Sequence, residues 1–414
     1  MLPRPPALLP FLFSVLLTGY ATAQPAETSD LFERAAARVE AQEADLIAVR
    51  HDLHRQPELS GEEERTAGVV ADRLAALSFE VRTGIGGHGV IGVLEGARPG
   101  PMVAFRADMD AVRSSAPDPV PYRSIVPGVR HICGHDMHTA IGLGLAEGLA
   151  GIRDDLAGSV MLVFQPAEER GTGAKAMLRD GAWEATTPDA IFALHTAPLL
   201  LGQLATAPGG MMAGRASLSV TLSGSGDLQA AATRVREAVE GVGTIPPQEA
   251  GQMALPGFVL VQLAPVSVSD EEAVVRGQIM TAGLADRARA KTATLEALGA
   301  LDLPGITVET QYDERWMEGV NNDADLVEHA NASIARLASE ITVWPVPGAV
   351  PAFSEDFGSF QARTPGVMYF LGVNNPETGT VGMPHSPEYV ADDAALLIGT
   401  RAMLAAILGR LAVE

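Results

Sequence analysis

Ser159-Val160-Met161-Leu162-Val163-Phe164-Gln165-Pro166-Ala167-Glu168-Glu169 is a short apolar run, stopped at a proline, that delivers two adjacent glutamates. A run of this length bounded by a turn signal reads as a buried strand. Two other segments end the same way: residues 102–107 run into Asp108 and Asp110, and residues 190–194 run into His195. In open α/β sheets, sites form just beyond the carboxyl ends of strands, so polar groups distant in sequence can converge there.

Working outward, residues 30–56 read as one helix up to the break at Pro57, and 62–77 as another. Strands at 79–83 and 90–94 precede 102–107, and helices at 139–151 and 173–181 flank 159–164. This alternation argues for an α/β sheet covered by helices on both faces. Gly84-Ile85-Gly86-Gly87-His88-Gly89 formally matches a dinucleotide-binding fingerprint. A strand pattern follows it where a helix N-terminus is required, so it reads as a turn.

The pattern changes between 216 and 312. Strand 217–222, helix 228–239, strands 258–263 and 273–280, helix 286–298 and strand 306–311 give β-α-β-β-α-β, the order of a ferredoxin-like sandwich. The α/β pattern then resumes with helix 323–339, strand 367–372 and helix 392–411. The domain organisation expected is a segment to be removed at 1–23, a catalytic domain in two parts at 24–215 and 315–414, and an inserted lid at 216–314.

The 414 residues include 51 acids against 29 bases, a net charge of −22, with Lys175 and Lys291 as the lysines. Such a chain repels phosphate backbones and anionic lipid, so neither nucleic acid nor a membrane surface is an expected partner. Hydrophobic residues make up 47% and mean hydropathy is +0.15, which excludes a disordered chain. The single cysteine, Cys133, excludes an intramolecular disulfide and any all-cysteine zinc site. Arg4, the short apolar run 7–17 and Ala21-Thr22-Ala23 form a signal-peptide pattern, implying a periplasmic or secreted protein.

Beside the three strand ends lies His131-Ile132-Cys133-Gly134-His135-Asp136-Met137-His138, and far downstream His385 sits in a proline-framed loop, 381–387. Nitrogen, sulfur and oxygen donors together suit zinc or manganese, and five ligands with one bridging group suit a two-metal site. Adjacent glutamates can divide the work, one binding metal while its neighbour faces the attacking water. A cysteine nucleophile at Cys133, paired with a histidine, is the competing chemistry.

These residues resemble the M20 metallopeptidase family, in particular its amidohydrolase subfamily of hippurate hydrolases, aminoacylases and auxin-conjugate hydrolases. The matching segments are Arg50-His51-Asp52-Leu53-His54-Arg55-Gln56-Pro57-Glu58-Leu59-Ser60, Arg106-Ala107-Asp108-Met109-Asp110-Ala111, residues 131–139, Phe164-Gln165-Pro166-Ala167-Glu168-Glu169, Ser354-Glu355-Asp356-Phe357 and His385-Ser386-Pro387. The resemblance implies an α/β, two-metal aminopeptidase-like catalytic domain with an inserted ferredoxin-like α+β lid, through which homodimers often form. It implies two divalent ions, Zn2+ or Mn2+, on Cys133, His135, Glu169, His195 and His385. Glu168 would be the general base and acid, and Asp110 the aspartate that orients the site.

The lid departs from the family pattern. No histidine occurs in it, and Gly224-Ser225-Gly226-Asp227-Leu228 stands where a histidine-bearing stretch is usual. Met280 follows Gly277-Gln278-Ile279, where an arginine often holds a substrate carboxylate. The expected activity is an exported, metal-dependent amidohydrolase cleaving N-acyl amino acids or small peptides through a metal-activated water. The alternative is a non-catalytic periplasmic binding protein on a retained fold. Met280 leads to the further expectation of a pocket with no carboxylate anchor.

Overall fold

The computed structural model describes residues 24–249 and 255–413. The signal-peptide expectation, on 1–23, falls outside them. Among the described residues no helix is long and apolar enough to cross a membrane.

Eight strands form the large sheet, in the order Glu80–Ile85, Gly89–Glu95, Ala157–Gln165, Arg98–Asp108, Ala190–Leu200, Gly366–Asn374, Gln203–Thr206 and Thr342–Pro345. The four from Ala157–Gln165 to Gly366–Asn374 are mutually parallel, so their carboxyl ends meet at one edge. Alternation along Arg98–Asp108 divides its side chains between two cores. Val103, Phe105 and Ala107 join the larger cluster, whereas Ala104 joins the smaller one on the opposite face. Helices Gln24–Ala41, Glu43–Arg55, His135–Ala150 and Ala395–Leu411 build the larger cluster together with the sheet. His135–Ala150 is buried along nearly its whole length, as a helix apolar on all sides must be.

The lid is a separate antiparallel sheet. Its strands lie in the order Val259–Leu263, Glu272–Thr281, Gly214–Gly224 and Ile306–Met317, with the short Ser267–Val268 beside Glu272–Thr281. Helices Leu228–Glu240 and Leu284–Gly299 pack on it. Asp227 caps the first of these by accepting from Ala230 N–H, a side-chain cap that fixes the helix start. This is the ferredoxin-like order read from the sequence, inserted into an α/β domain.

Several boundaries differ from expectation. The single helix at 30–56 is two, broken at Gln42, where no glycine or proline marks the change. The helix expected at 139 begins at His135, because Gly134 in the left-handed region (φ 93°) turns the chain directly into it. The strand expected to end at 194 continues to Leu200, so His195 lies within a strand, opposite Phe370. The glycine-rich segment 84–89 joins two antiparallel strands, as its reading as a turn requires. Two- to four-residue strands such as Val112–Arg113 and Gly209–Met212 carry too few residues to show a period.

Met280 requires a correction. It is not a pocket residue: it is buried in an apolar cluster with Ala213, Phe258, Leu260, Ala282 and Ala349. Its register partner Arg215, on the neighbouring strand, reaches the chamber instead.

Candidate metal centre

The parallel strands bring the expected residues to one place. Asp110 follows Arg98–Asp108, Glu168 and Glu169 follow Ala157–Gln165, and His195 comes from Ala190–Leu200. Cys133 and His135 flank Gly134 at the start of a helix. A Cβ on Gly134 would lie 2.2 Å from Tyr389 Oη and 2.5 Å from Thr196 Oγ1, so glycine is required by space as well as by φ. His385 enters on its loop, its N–H donating to Ile132 O at 2.7 Å. Ala167 (φ 54°) and His385 (φ 63°) are two of the three non-glycine residues with positive φ among the described residues. Backbone strain is thus concentrated beside this site.

Cys133 Sγ lies 3.4 Å from His195 Nε2. His195 Nδ1 is 2.9 Å from Thr196 O, an acceptor only, so Nδ1 carries the proton and Nε2 presents a lone pair. Burial, with His138 alongside, drives the His195 pKa down to about 3, keeping the ring neutral. His135 Nδ1 is 3.3 Å from Asp110 Oδ1, an ion-pair distance without good hydrogen-bond alignment. Its Nε2 faces Asp108 Oδ2 at 3.7 Å, Glu169 Oε1 at 3.9 Å and Glu168 Oε2 at 4.0 Å, and bonds to none of them. Glu169 Oε1 is 3.2 Å from His385 Nε2. His385 is the exposed member, its side chain 52% accessible at the rim.

Two donor triads follow, Cys133–His135–His195 and Cys133–Glu169–His385, with Cys133 common to both. Neighbouring donors on one ion, with bonds of about 2.0–2.3 Å, stand roughly 3–4 Å apart; here Cys133–His195 and Glu169–His385 fall in that range and all donors of each triad lie within 4.8 Å of one another. The orphaned His135 nitrogens and Glu169 Oε1 are buried polar atoms in need of a partner. Four carboxylates, on Asp108, Glu168, Glu355 and Asp356, surround buried Arg106, and Asp110 and Glu169 add their charges beside Glu168. Donors and charge together fit divalent cations. A third triad, Asp108–His135–His138, is already occupied by hydrogen bonds. His138 Nδ1 bonds Asp108 Oδ1 at 2.6 Å, and its Nε2 accepts from Thr196 N–H at 2.9 Å.

Asp110 positions rather than reacts. Its carboxylate accepts from Ser60 Oγ and from the N–H groups of Glu168 and Glu169, fixing the two-glutamate turn and facing His135. Burial would raise its pKa, but His135 and these donors hold it below the usual range. Burial and the charges of Glu355 and Glu169 push Glu168 well up, so it can hold a proton. Burial and then Glu169 and Glu168 push the Cys133 thiol up as well. With the thiol pushed up and His195 neutral, those two side chains do not form a thiolate–imidazolium pair.

Sequence reasoning missed the second layer. Arg106 donates to Asp108 Oδ2 at 2.6 Å, Glu355 Oε1 at 2.8 Å and Gln165 Oε1 at 2.8 Å. The available signal was a charged residue inside an otherwise apolar strand. Thr196 ties the site together through Cys133 O, with Tyr389 Oη donating to its hydroxyl. The segment 50–60 contributes support: Arg50 and His54 hold Asp136, and Ser60 holds Asp110. From the lid, Arg215 donates through Nε to Ser354 Oγ, at the wall of a chamber of about 690 Å³ that opens on the donor set.

A family model described as peptidase family M20/M25/M40 matches residues 104–409. Thermostable carboxypeptidase 2 of Saccharolobus solfataricus is 30% identical over 394 residues, covering 90% of this chain and 97% of its own. IAA-amino acid hydrolase ILR1-like 5 of Arabidopsis thaliana is 31% identical over 376 residues, covering 86% and 84%. The solved Bacillus subtilis YxeP protein, a dinuclear metal-binding peptidase of the M20 family, superposes with a TM-score of 0.73 at 25% identity, covering 90% of this chain and 99% of that one. On this evidence the chain belongs to peptidase family M20/M25/M40 and is a metal-dependent hydrolase of amide bonds.

Proposed function

We propose that this protein is an exported amidohydrolase cleaving the amide bond of N-acyl amino acids or small peptides. Cys133, His135, Glu169, His195 and His385 would hold two ions, and the nitrogen, thiolate and carboxylate donors suit Zn2+ or Mn2+. When bound, such ions lower the pKa of water and polarise a carbonyl oxygen. The observation that carries the reading is Glu168: buried, next to a ligand glutamate, with Oε2 4.0 Å from His135 Nε2.

Glu168 takes a proton from the attacking water at a carboxylate oxygen and returns it to the leaving nitrogen. Its neighbours Glu355 and Asp356, anchored by Arg106, keep it basic enough to accept that proton. Asp110 holds the Glu168 and Glu169 backbone in register with His135 throughout. Export is supported by the apolar run 7–17 and the small-residue pattern 21–23.

The test is to strip the mature protein with chelator and add back Zn2+ or Mn2+, assaying a panel of N-acyl amino acids and dipeptides. Turnover should vanish and return with metal. Activity that survives at negligible metal content contradicts the reading. Full metal occupancy without turnover of any amide would favour a binding protein.

A further inference from the structure

The two donor triads are not held equally firmly. His135 stands on a buried helix, His195 within the central sheet, and Glu169 on a turn fixed by Asp110. His385 belongs instead to the irregular segment 375–394, with its side chain half exposed and its φ at 63°. A backbone in that region persists where its surroundings over-determine it.

The surroundings that hold His385 can be named. Val390 N–H donates to Val381 O, closing the loop, and His385 N–H donates to Ile132 O. Tyr389 Oη donates to Thr196 Oγ1 further along. Between these two ties, the Arg130 guanidinium donates to Pro387 O at 3.1 Å, two residues past His385.

Arg130 is itself well anchored. It is 3% exposed and stands opposite Val112 in the two-residue ladder at the base of loop 114–128. On that loop it reaches Ala116 O and Asp118 Oδ1, each at 3.4 Å. Asp118 is in turn held by His54 Nε2 at 3.0 Å and Ser124 N–H at 2.9 Å. A planar, buried fork with a carboxylate on one arm has its other arm aimed, so Pro387 O is held in place relative to the core.

We propose that Arg130 is a positioning residue for His385, which sets the affinity of the rim triad Cys133–Glu169–His385 for its ion and leaves that of Cys133–His135–His195 unaltered. The inference rests on the two-ion reading and adds an order of loading, buried triad first and rim triad second. Loss of a group that orients a histidine ligand costs about ten- to a hundredfold in metal affinity.

The experiment equilibrates the stripped protein with buffered Zn2+ over a range of free concentrations and counts bound ions by mass spectrometry. Arg130→Met should leave the Kd of the first ion within about twofold and raise that of the second by about ten- to a hundredfold. His385→Ala should bind one ion, and adding Arg130→Met to it should change nothing further, since a residue acting through His385 has lost its target. Arg130→Lys keeps the charge beside Asp118 without the fork, and serves where Arg130→Met fails to fold; its second ion should be weakened by about tenfold. Equal weakening of both ions, further loss in the double variant, or an unchanged second ion in the folded variant overturns the positioning role and leaves the two-ion reading intact. No ion on the unaltered protein, or two ions still bound by His385→Ala, would instead defeat that reading.

Discussion

Arg215 and Met280 stand opposite one another on neighbouring antiparallel lid strands, yet only Arg215 reaches the chamber. Opposed residues in such a pair share a face, and Ala213, Phe258 and Ala349 cover Met280 on it. Arg215 hydrogen-bonds the neutral side chains of Ser354 and Gln278, and the charge of Glu168 acts on it from across the chamber. Burial lowers its pKa, a cost that an anionic partner relieves.

An N-acyl amino acid should therefore outrun its own carboxamide, reversing the expectation built on Met280. A charge-assisted hydrogen bond contributes about 1.5–3 kcal/mol, or roughly ten- to a hundredfold in kcat/KM. Arg215→Met should abolish that preference mainly through KM. Equal rates for acid and carboxamide in the unaltered enzyme would show that Arg215 holds no carboxylate.

Gly134→Ala should cost far more than a positive-φ glycine normally does. Gly128→Ala is the control: its φ is 72° and nothing lies within 4 Å of the added carbon. The control should lose about 1 kcal/mol of stability and keep its metal affinity. At Gly134 the new methyl drives into Tyr389 and Thr196, so metal affinity should fall at least tenfold. Equal effects at both glycines, read by metal titration, would refute the packing argument.

Cys133→Ser should weaken metal binding rather than block a covalent step, since a hydroxyl is a poorer ligand than a thiolate. Metal titration into the stripped variant should show a higher Kd, with activity returning at high metal. An acyl-thioester trapped on the unaltered enzyme would contradict this.

His54 should make stability fall at alkaline pH. Burial alone would lower its pKa, but hydrogen bonds to Asp118 and Asp136, each 3.0 Å, raise it to about 9. Arg130 beside Asp118, Arg50 beside Asp136, and the rings of His131 and Tyr122 complete its surroundings. A folded pKa above the unfolded 6.5 gives stability that is fully present below pH 6.5 and lost as pH rises through 9. The Tm of His54→Gln should approach that of the unaltered protein at high pH. A gap between them that stays constant from pH 6 to 10 would exclude the effect.

The parts of this architecture that repeat a pattern were legible in the sequence. Strand 159–164 shows as a continuous apolar run because both its faces are buried, and the lid shows as its β-α-β-β-α-β order. The helix start at His135 was hidden because Gly134 caps it by backbone conformation, without the usual side-chain cap. Strand ends and residue types marked out the neighbourhood of Asp108, Asp110, Glu168, Glu169, His195, the segment 131–138 and His385, whereas the set Cys133, His135, Glu169, His195 and His385 came from the family resemblance. Arg106 stood out only as a charge inside an apolar strand, and what it and Arg215 bind depends on which strands become neighbours. Met280 misled for the same reason: a residue's position along a strand does not reveal what covers that face.

Glu168→Gln tests the central claim most directly. The substitution keeps the side-chain shape and removes the proposed proton acceptor next to Glu169, a proposed ligand. Metal content and kcat should be measured on one preparation, against the best N-acyl amino acid found for the unaltered enzyme. The account predicts full metal occupancy with kcat lowered by about 10²–10⁴-fold. An unchanged kcat at full occupancy would contradict it.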